Sequence, residues 1–175
     1  MTAAVTLAEL NAGSRDAFVS ALGGIVEDAP WVAERAWERW PFGSMDALHD
    51  AMVEALSAAG ADAQLAVLRA HPDLGARARM SEASVGEQAG AGLDRLTAAE
   101  FEQLQQLNHD YRETFGFPFL LAVKGATKHD VLAALERRRH STRDAEFGEA
   151  LRQVARIARF RLESLLALPQ VAGGL

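Results

Sequence analysis

The chain has 175 residues, 49% of them apolar and 24% charged, with a net charge of -6 at neutral pH. That length suits a single domain, 1–175, with a real core, and the acidic balance excludes the basic face of a general nucleic-acid binder. With no cysteine, disulfides, thiol catalysis and thiolate metal sites are excluded, and no apolar run approaches the ~20 residues of a membrane helix.

Thr6 caps a short helical turn through Asn11. Ser14 caps a second segment with Phe18, Leu22 and Ile25 at helical spacing. Ala33, Trp37 and Trp40 share a face of a third, stopped by Trp40-Pro41. Ser44 opens a longer helix carrying Leu48, Met52 and Leu56, ended by Gly60. Residues 62–70 form a helix that stops before His71-Pro72. The stretch 75–95, rich in Gly, Ala and Ser, fits no pattern. Thr97 with Glu100 is a capping box for a helix over 98–115, terminated by Gly116 and Pro118. Leu120-Leu121-Ala122-Val123 is too short for a helix of its own. Thr127 caps residues 128–139, and Ser141 or Thr142 starts a last helix over 143–167. No strand alternation or internal repeat is present. The expected class is all-α, a compact bundle of short and medium helices with functional loops. The N-terminus lacks a secretory pattern and Ala172-Gly173-Gly174-Leu175 is not a Ser-Lys-Leu address, so a cytoplasmic protein is expected.

Ala70-His71-Pro72-Asp73-Leu74-Gly75 carries the first candidate. Proline disfavours helix for the residue before it, which places His71 at or just past a helix C-terminus. The partial negative charge there favours imidazolium, so His71 is either an exposed, dipole-stabilised histidine or a proton donor near neutral pH. His49, His109, His129 and His140 show no spacing that would build a metal site with it, and no metal is expected. Downstream, Ser84-Val85-Gly86-Glu87-Gln88 reads two ways. Ser84 and Glu87 fit a capping box, and Ser84, Glu87 and Gln88 also offer three polar side chains to a ligand at a helix start. In Asn108-x-x-Tyr111-x-x-x-Phe115-Gly116-Phe117-Pro118-Phe119, the helical residues Asn108, Tyr111 and Phe115 share a face. The run Phe119, Leu120, Leu121, Ala122 and Val123 must then find partners for its amides and carbonyls outside a helix. It is a buried connector, or a strip that the polar edge of a planar ring could meet. In the last helix, Phe147, Leu151, Val154, Ile157, Ala158, Leu162 and Leu165 define an apolar face; Arg152, Arg156 and Arg159 fall off it and Arg161 falls on it. Such an arginine pairs with a protein acid, snorkels out along the edge, or holds an anionic ligand with its fork.

Taken in order, Leu10-Asn11, His71-Pro72-Asp73-Leu74-Gly75, Ser84-x-x-Glu87-Gln88-x-x-x-Gly92-Leu93, Asn108-x-x-Tyr111 and Phe115-Gly116-Phe117-Pro118-Phe119 resemble the OHCU decarboxylase family over nearly the whole chain. That family acts on 2-oxo-4-hydroxy-4-carboxy-5-ureidoimidazoline in urate degradation. The resemblance implies an all-helical fold, commonly a homodimer, with no metal or organic cofactor and (S)-allantoin as product. It implies His71 as catalytic acid with Glu87 its partner, and Pro72 as a pocket wall. Ser84 and Gln88 would bond the ureido and ring groups, with Val85 and Gly86 in the same loop. Backbone atoms of Phe119, Leu120, Leu121, Ala122 and Val123 would line the ring, and Arg161 would hold a carboxylate or oxygen. Val85-Gly86 departs from the pattern by making that loop more flexible than polar residues would. A lyase or hydrolase on another ureide, and a non-catalytic helical module, are the rival classes.

Overall fold

A computed structural model describes residues 4–76 and 82–166, and among these the regular elements are helical. In chain order they are α1 (Leu7–Ala12), α2 (Arg15–Leu22), α3 (Pro30–Ala36), a 3-10 turn (Trp37–Arg39), α4 (Met45–Ser57), α5 (Ala61–Ala70), α6 (Glu82–Gly90), α7 (Ala98–Phe115), α8 (Lys128–Arg138) and α9 (Arg143–Leu165). One isolated bridge joins Val5 to Leu166. The all-α expectation holds.

The starts are set by the hydroxyl caps. The Oγ atoms of Thr6, Ser14, Ser44, Thr97 and Thr127 accept from the amides of Glu9, Ala17, Ala47, Glu100 and Asp130 at 3.0 to 3.2 Å. At Thr6, Thr97 and Thr127 the acid three residues on returns the bond, closing a capping box. Thr142, whose Oγ1 accepts from Ala145 N at 3.3 Å, opens α9. Several ends differ from expectation. Ile25 lies beyond α2, which stops at Leu22 before Gly23. The segment containing Trp37 and Trp40 tightens from α-helix into a 3-10 turn ahead of Pro41. α4 ends at Ser57 rather than Gly60. The stretch without a pattern contains α6, which forms despite Gly86 and Gly90. The expected last two residues of α9 include position 167, outside the described residues.

The chain falls into two compact units, Met1–Gly60 with Ile157–Leu175, and Ala61–Arg156. In the first, α3 packs on α2 and α4. Phe18, Leu22, Ala33, Leu48, Met52 and Leu162 are among its most buried side chains. The Phe18 ring lies 5.2 Å from Trp37 and 5.8 Å from Phe42. Asn11 bonds both backbone groups of Phe42, donating to its carbonyl at 2.7 Å and accepting from its amide at 3.0 Å. That side chain does what a neighbouring strand would do, which accounts for Leu10-Asn11: the leucine is core and the amide fixes a loop.

In the second unit α7 packs on α8, and Leu68, Leu104, Tyr111, Phe115, Phe117, Phe119 and Leu135 are fully buried. Tyr111 is the hub of its aromatic cluster, with ring centroids 4.5 Å from Phe115, 5.4 Å from Phe119 and 6.1 Å from Phe117.

Candidate functional site

His71 is the first residue past α5, and its amide still bonds the Leu68 carbonyl at 3.3 Å. The helix-end placement is as expected, but the exposed alternative is not: His71 is only 5% exposed. Its Nδ1 lies 2.8 Å from the Val67 carbonyl, an atom that can only accept. Nδ1 therefore carries the proton. The Nε2 atom is left as the position that gains or loses one, lone pair in the neutral ring and N–H in the cation.

The loop after His71 is held residue by residue. Arg112 reaches Asp73 at 2.7 Å, Asn108 Nδ2 donates to the Leu74 carbonyl at 2.9 Å, and the Gly75 amide donates to Gln88 Oε1 at 2.8 Å. Gly75 adopts φ +71, and a Cβ there would stand 2.4 Å from Leu104 Cδ2, so both conformation and space call for glycine. Pro72 is half-buried beside His71.

α6 presents Ser84, Glu87 and Gln88 on one face, at spacings of three and four. Ser84 and Gln88 are buried and Glu87 is half-buried. Ser84 is two residues inside the helix, so the capping-box reading of Ser84 and Glu87 is corrected: the helix begins at Glu82 and neither residue is its cap. Val85, 49% exposed, and Gly86 lie on the outer side. Gly75, Val85 and Gln88 also line a cavity of about 300 Å³ closed by Leu93, Leu96 and Phe101.

The strip at 119–123 finds protein partners for some of its backbone groups. Arg138 Nη1 donates to the Leu120 carbonyl at 2.7 Å. The Ala122 amide donates to Gln153 Oε1 at 2.9 Å, and the Val123 carbonyl accepts from Ala126 at 3.0 Å. Arg138 is itself neutralised by Glu146, through Nε at 3.0 Å and Nη2 at 2.8 Å. Tyr111 Oη donates to the same carboxylate. Burial first, and the hydrogen bond to Glu146 second, push the Tyr111 phenol far above its ordinary value, so it stays a donor. Arg138, Glu146 and Gln153 were missed in the sequence. Of the apolar face chosen there, Val154, Ile157, Ala158 and Leu162 are buried as expected, but in the first half of α9 it was rotated by about one residue: Phe147 and Leu151 are half-buried, whereas Glu146, Ala150 and Gln153 are buried. On the corrected face they are polar residues at core positions, the same signal that singled out Arg161.

Arg161 belongs to the first unit. It is 7% exposed, donating to Glu27 at 3.1 Å and to the Ile25 carbonyl at 3.3 Å. The protein-acid alternative is thus realised, with a partner 134 residues away. Among the described residues no cluster of His, Asp and Glu has the makings of a metal site.

An all-helical scaffold that buries His71, commits its Nδ1 to a carbonyl and pins the loop behind it has the makings of a proton-transfer site, the class of small-molecule enzyme that the comparisons then specify. The OHCU decarboxylase family model matches residues 11–163. The 2-oxo-4-hydroxy-4-carboxy-5-ureidoimidazoline decarboxylase of Haloferax volcanii is 48% identical over 158 residues, 90% of this chain and 94% of that one. The protein of the same name from Halalkalicoccus jeotgali is 46% identical over 161 residues, 92% of each. A crystal structure of (S)-allantoin synthase superposes with TM-score 0.78 at 37% identity, covering 93% of this chain and 54% of that longer one. The chain belongs to the OHCU decarboxylase family.

Proposed function

We infer that this chain decarboxylates 2-oxo-4-hydroxy-4-carboxy-5-ureidoimidazoline to (S)-allantoin in urate degradation. The observation that carries the inference is 48% identity across 94% of a relative bearing that activity in its name; the buried, oriented His71 supplies the chemistry. Loss of carbon dioxide from C4 leaves an electron pair that the adjacent C5=N unit accepts, with a proton arriving at that nitrogen. The resulting enol then loses its hydroxyl proton as C5 gains one on a single face. The electron sink lies in the substrate, so the proposed mechanism draws on no cofactor. His71 Nε2 is the proposed proton carrier, with Glu87 its partner on the inner face of α6. A positioned proton carrier is worth ~10²–10⁴ in rate. Ser84 and Gln88 are proposed to bond the ureide, and the strip at 119–123 to meet the ring. Gln88 has a second duty, since its Oε1 already holds Gly75. A cytoplasmic homodimer is part of the same proposal.

The deciding experiment mixes freshly generated substrate with the protein in heavy water and follows circular dichroism. Optically active allantoin carrying one deuterium at C5 is expected. A facial bias of ~2.7 kcal/mol between protonation transition states already yields a hundredfold enantiomeric excess. Racemic allantoin at the uncatalysed rate would refute the reading in favour of a non-catalytic module.

A further inference from the structure

Within the second unit a chain of amides runs from α7 to α6. Asn108 Nδ2 donates to the Leu74 carbonyl at 2.9 Å, and the Gly75 amide donates to Gln88 Oε1 at 2.8 Å. That carbonyl and that amide belong to one peptide, Leu74–Gly75. It is trans; among the described residues the cis bond is Trp40-Pro41. In a planar trans peptide C=O and N–H point in opposite directions, so Asn108 and Gln88 hold it from opposite edges. Across it, the Ala76 amide donates to the Asp73 carbonyl at 3.2 Å. Gly75 has φ +71, and among the described non-glycine residues Asp28 is the one of positive φ, so Leu74 is not. Asp73–Ala76 is therefore a type II turn. The type I alternative turns the central peptide over and exchanges its C=O and N–H. That would set two donors face to face at Asn108 and two acceptors at Gln88.

We propose that Asn108 is a positioning residue that acts on the substrate through Gln88. A carbonyl only accepts and a backbone N–H only donates, so neither side-chain amide has a choice of orientation. Asn108 turns Nδ2 to Leu74; Gln88 turns Oε1 to Gly75 and Nε2 away from it. Gln88 then meets the ligand as a donor, and the group it takes is a carbonyl oxygen of the ureide rather than an N–H. The inference rests on the decarboxylase reading and deepens it by naming what aims one of its binding groups.

α6 does not set that orientation alone. It has nine residues, Gly86 and Gly90 among them, and a helix of that length and composition is marginal without tertiary bonds. α7 has eighteen, and Asn108 within it is 2% exposed. Hydrogen bonds in series polarise one another. The bond at the Leu74 carbonyl makes the Gly75 N–H a better donor, and the bond at Oε1 does the same for Nε2. Stability does not account for the asparagine. Its Oδ1 is buried, and no protein group among the described residues donates to it. A leucine of similar shape would remove that unpaired acceptor and leave the Leu74 carbonyl as another, so their number would not change.

The test uses the whole chain, with the substrate in kinetics and (S)-allantoin as the binding probe. Asn108→Leu should raise KM about tenfold, roughly one hydrogen bond of affinity, with kcat changed less than about threefold. Its melting temperature should stay near that of the wild type. Gln88→Leu should raise KM at least as much, and the double variant should be no worse than Gln88→Leu, because Asn108 then has nothing to aim. In nitrogen-15 spectra of the wild type, saturating allantoin should shift the Gln88 side-chain NH2 pair and leave the Asn108 pair in place. An unchanged KM in folded Asn108→Leu, with or without a lowered melting temperature, marks a structural asparagine and overturns the inference. So do losses that multiply in the double variant, or a Gln88 pair indifferent to allantoin that does bind. Should the variants not fold, the wild-type spectra decide alone. A wild type that neither turns over substrate nor binds allantoin refutes the decarboxylase reading, and this inference with it.

Discussion

Replacing Gly75 by alanine tests whether the loop behind His71 is as constrained as its geometry indicates. Two costs add. An L-residue at φ +71 is strained by ~1–2 kcal/mol. The new Cβ would also stand 2.4 Å from Leu104 Cδ2, and Leu104 is 0% exposed, so the displaced methyl has no solvent to move into. Crowding a packed core in this way costs ~1–3 kcal/mol. The sum is roughly 2–5 kcal/mol, or ~4–20 °C in melting temperature for a chain of this size. The assay is thermal unfolding of wild type, Gly75→Ala, Leu104→Ala and the double variant. Leu104→Ala alone should cost ~2–5 kcal/mol. In the double variant the steric part should vanish and the backbone part remain, leaving a favourable coupling of ~1–3 kcal/mol. A Gly75→Ala protein that melts with the wild type, or strictly additive effects, would show that the loop relaxes freely and that neither φ nor Leu104 holds it.

His71→Ala should lose ~10²–10⁴ in kcat while remaining folded; near-normal turnover would remove His71 from the chemistry. Glu87→Gln, inside α6 rather than at its start, should depress activity while the protein stays folded, and a fully active variant would make Glu87 a bystander. If Arg161 also holds a substrate oxygen beside its bond to Glu27, as the family resemblance implies, Arg161→Lys should raise KM about tenfold, because a lysine keeps the charge but not the fork. An unchanged KM with a lowered melting temperature would confine Arg161 to its ion pair with Glu27. The Glu100 carboxyl is held below its ordinary value of 4.5, first by Lys128 and then by the Thr97 amide. A depressed folded value means stability is present above the unfolded value and is lost as pH falls through the folded one. Glu100→Gln should therefore flatten the decline of melting temperature below pH 4.5, and parallel curves would refute the assignment.

What was legible in the sequence is what local rules control. Thr6, Ser14, Ser44, Thr97 and Thr127 cap their helices because a hydroxyl and an orphan amide are three residues apart, and no tertiary contact is needed to see it. Asn108, Tyr111 and Phe115 share a buried face for the same reason. α6 was illegible because its glycines and alanines carry almost no periodic signal, and burial of Ser84 and Gln88 depends on partners elsewhere, Gly75 among them. The partner of Arg161 lies 134 residues away and that of Leu120 lies 18 away, separations that no window spans. Glu146 and Gln153 escaped notice because Phe147 and Leu151, more apolar, pulled the inferred face round the helix.

α7 carries the His71 loop and the strip on neighbouring turns. Asn108 holds Leu74, and Tyr111, three residues on, packs against Phe119. Their spacing along the axis is three residues of helical rise, ~4.5 Å, and cannot stretch without breaking backbone hydrogen bonds. This makes the protein unevenly tolerant of changes in chain length. Residues added at the exposed pair Asp94-Arg95, between α6 and α7, cost mainly loop entropy, which grows slowly with length. One residue added between Asn108 and Tyr111 turns everything beyond it by ~100°, taking the tyrosine off Phe119 while the asparagine stays on Leu74. Length variation among related chains should therefore collect in the loops and avoid the single helical turn 108–111, whatever happens to the side chains around it.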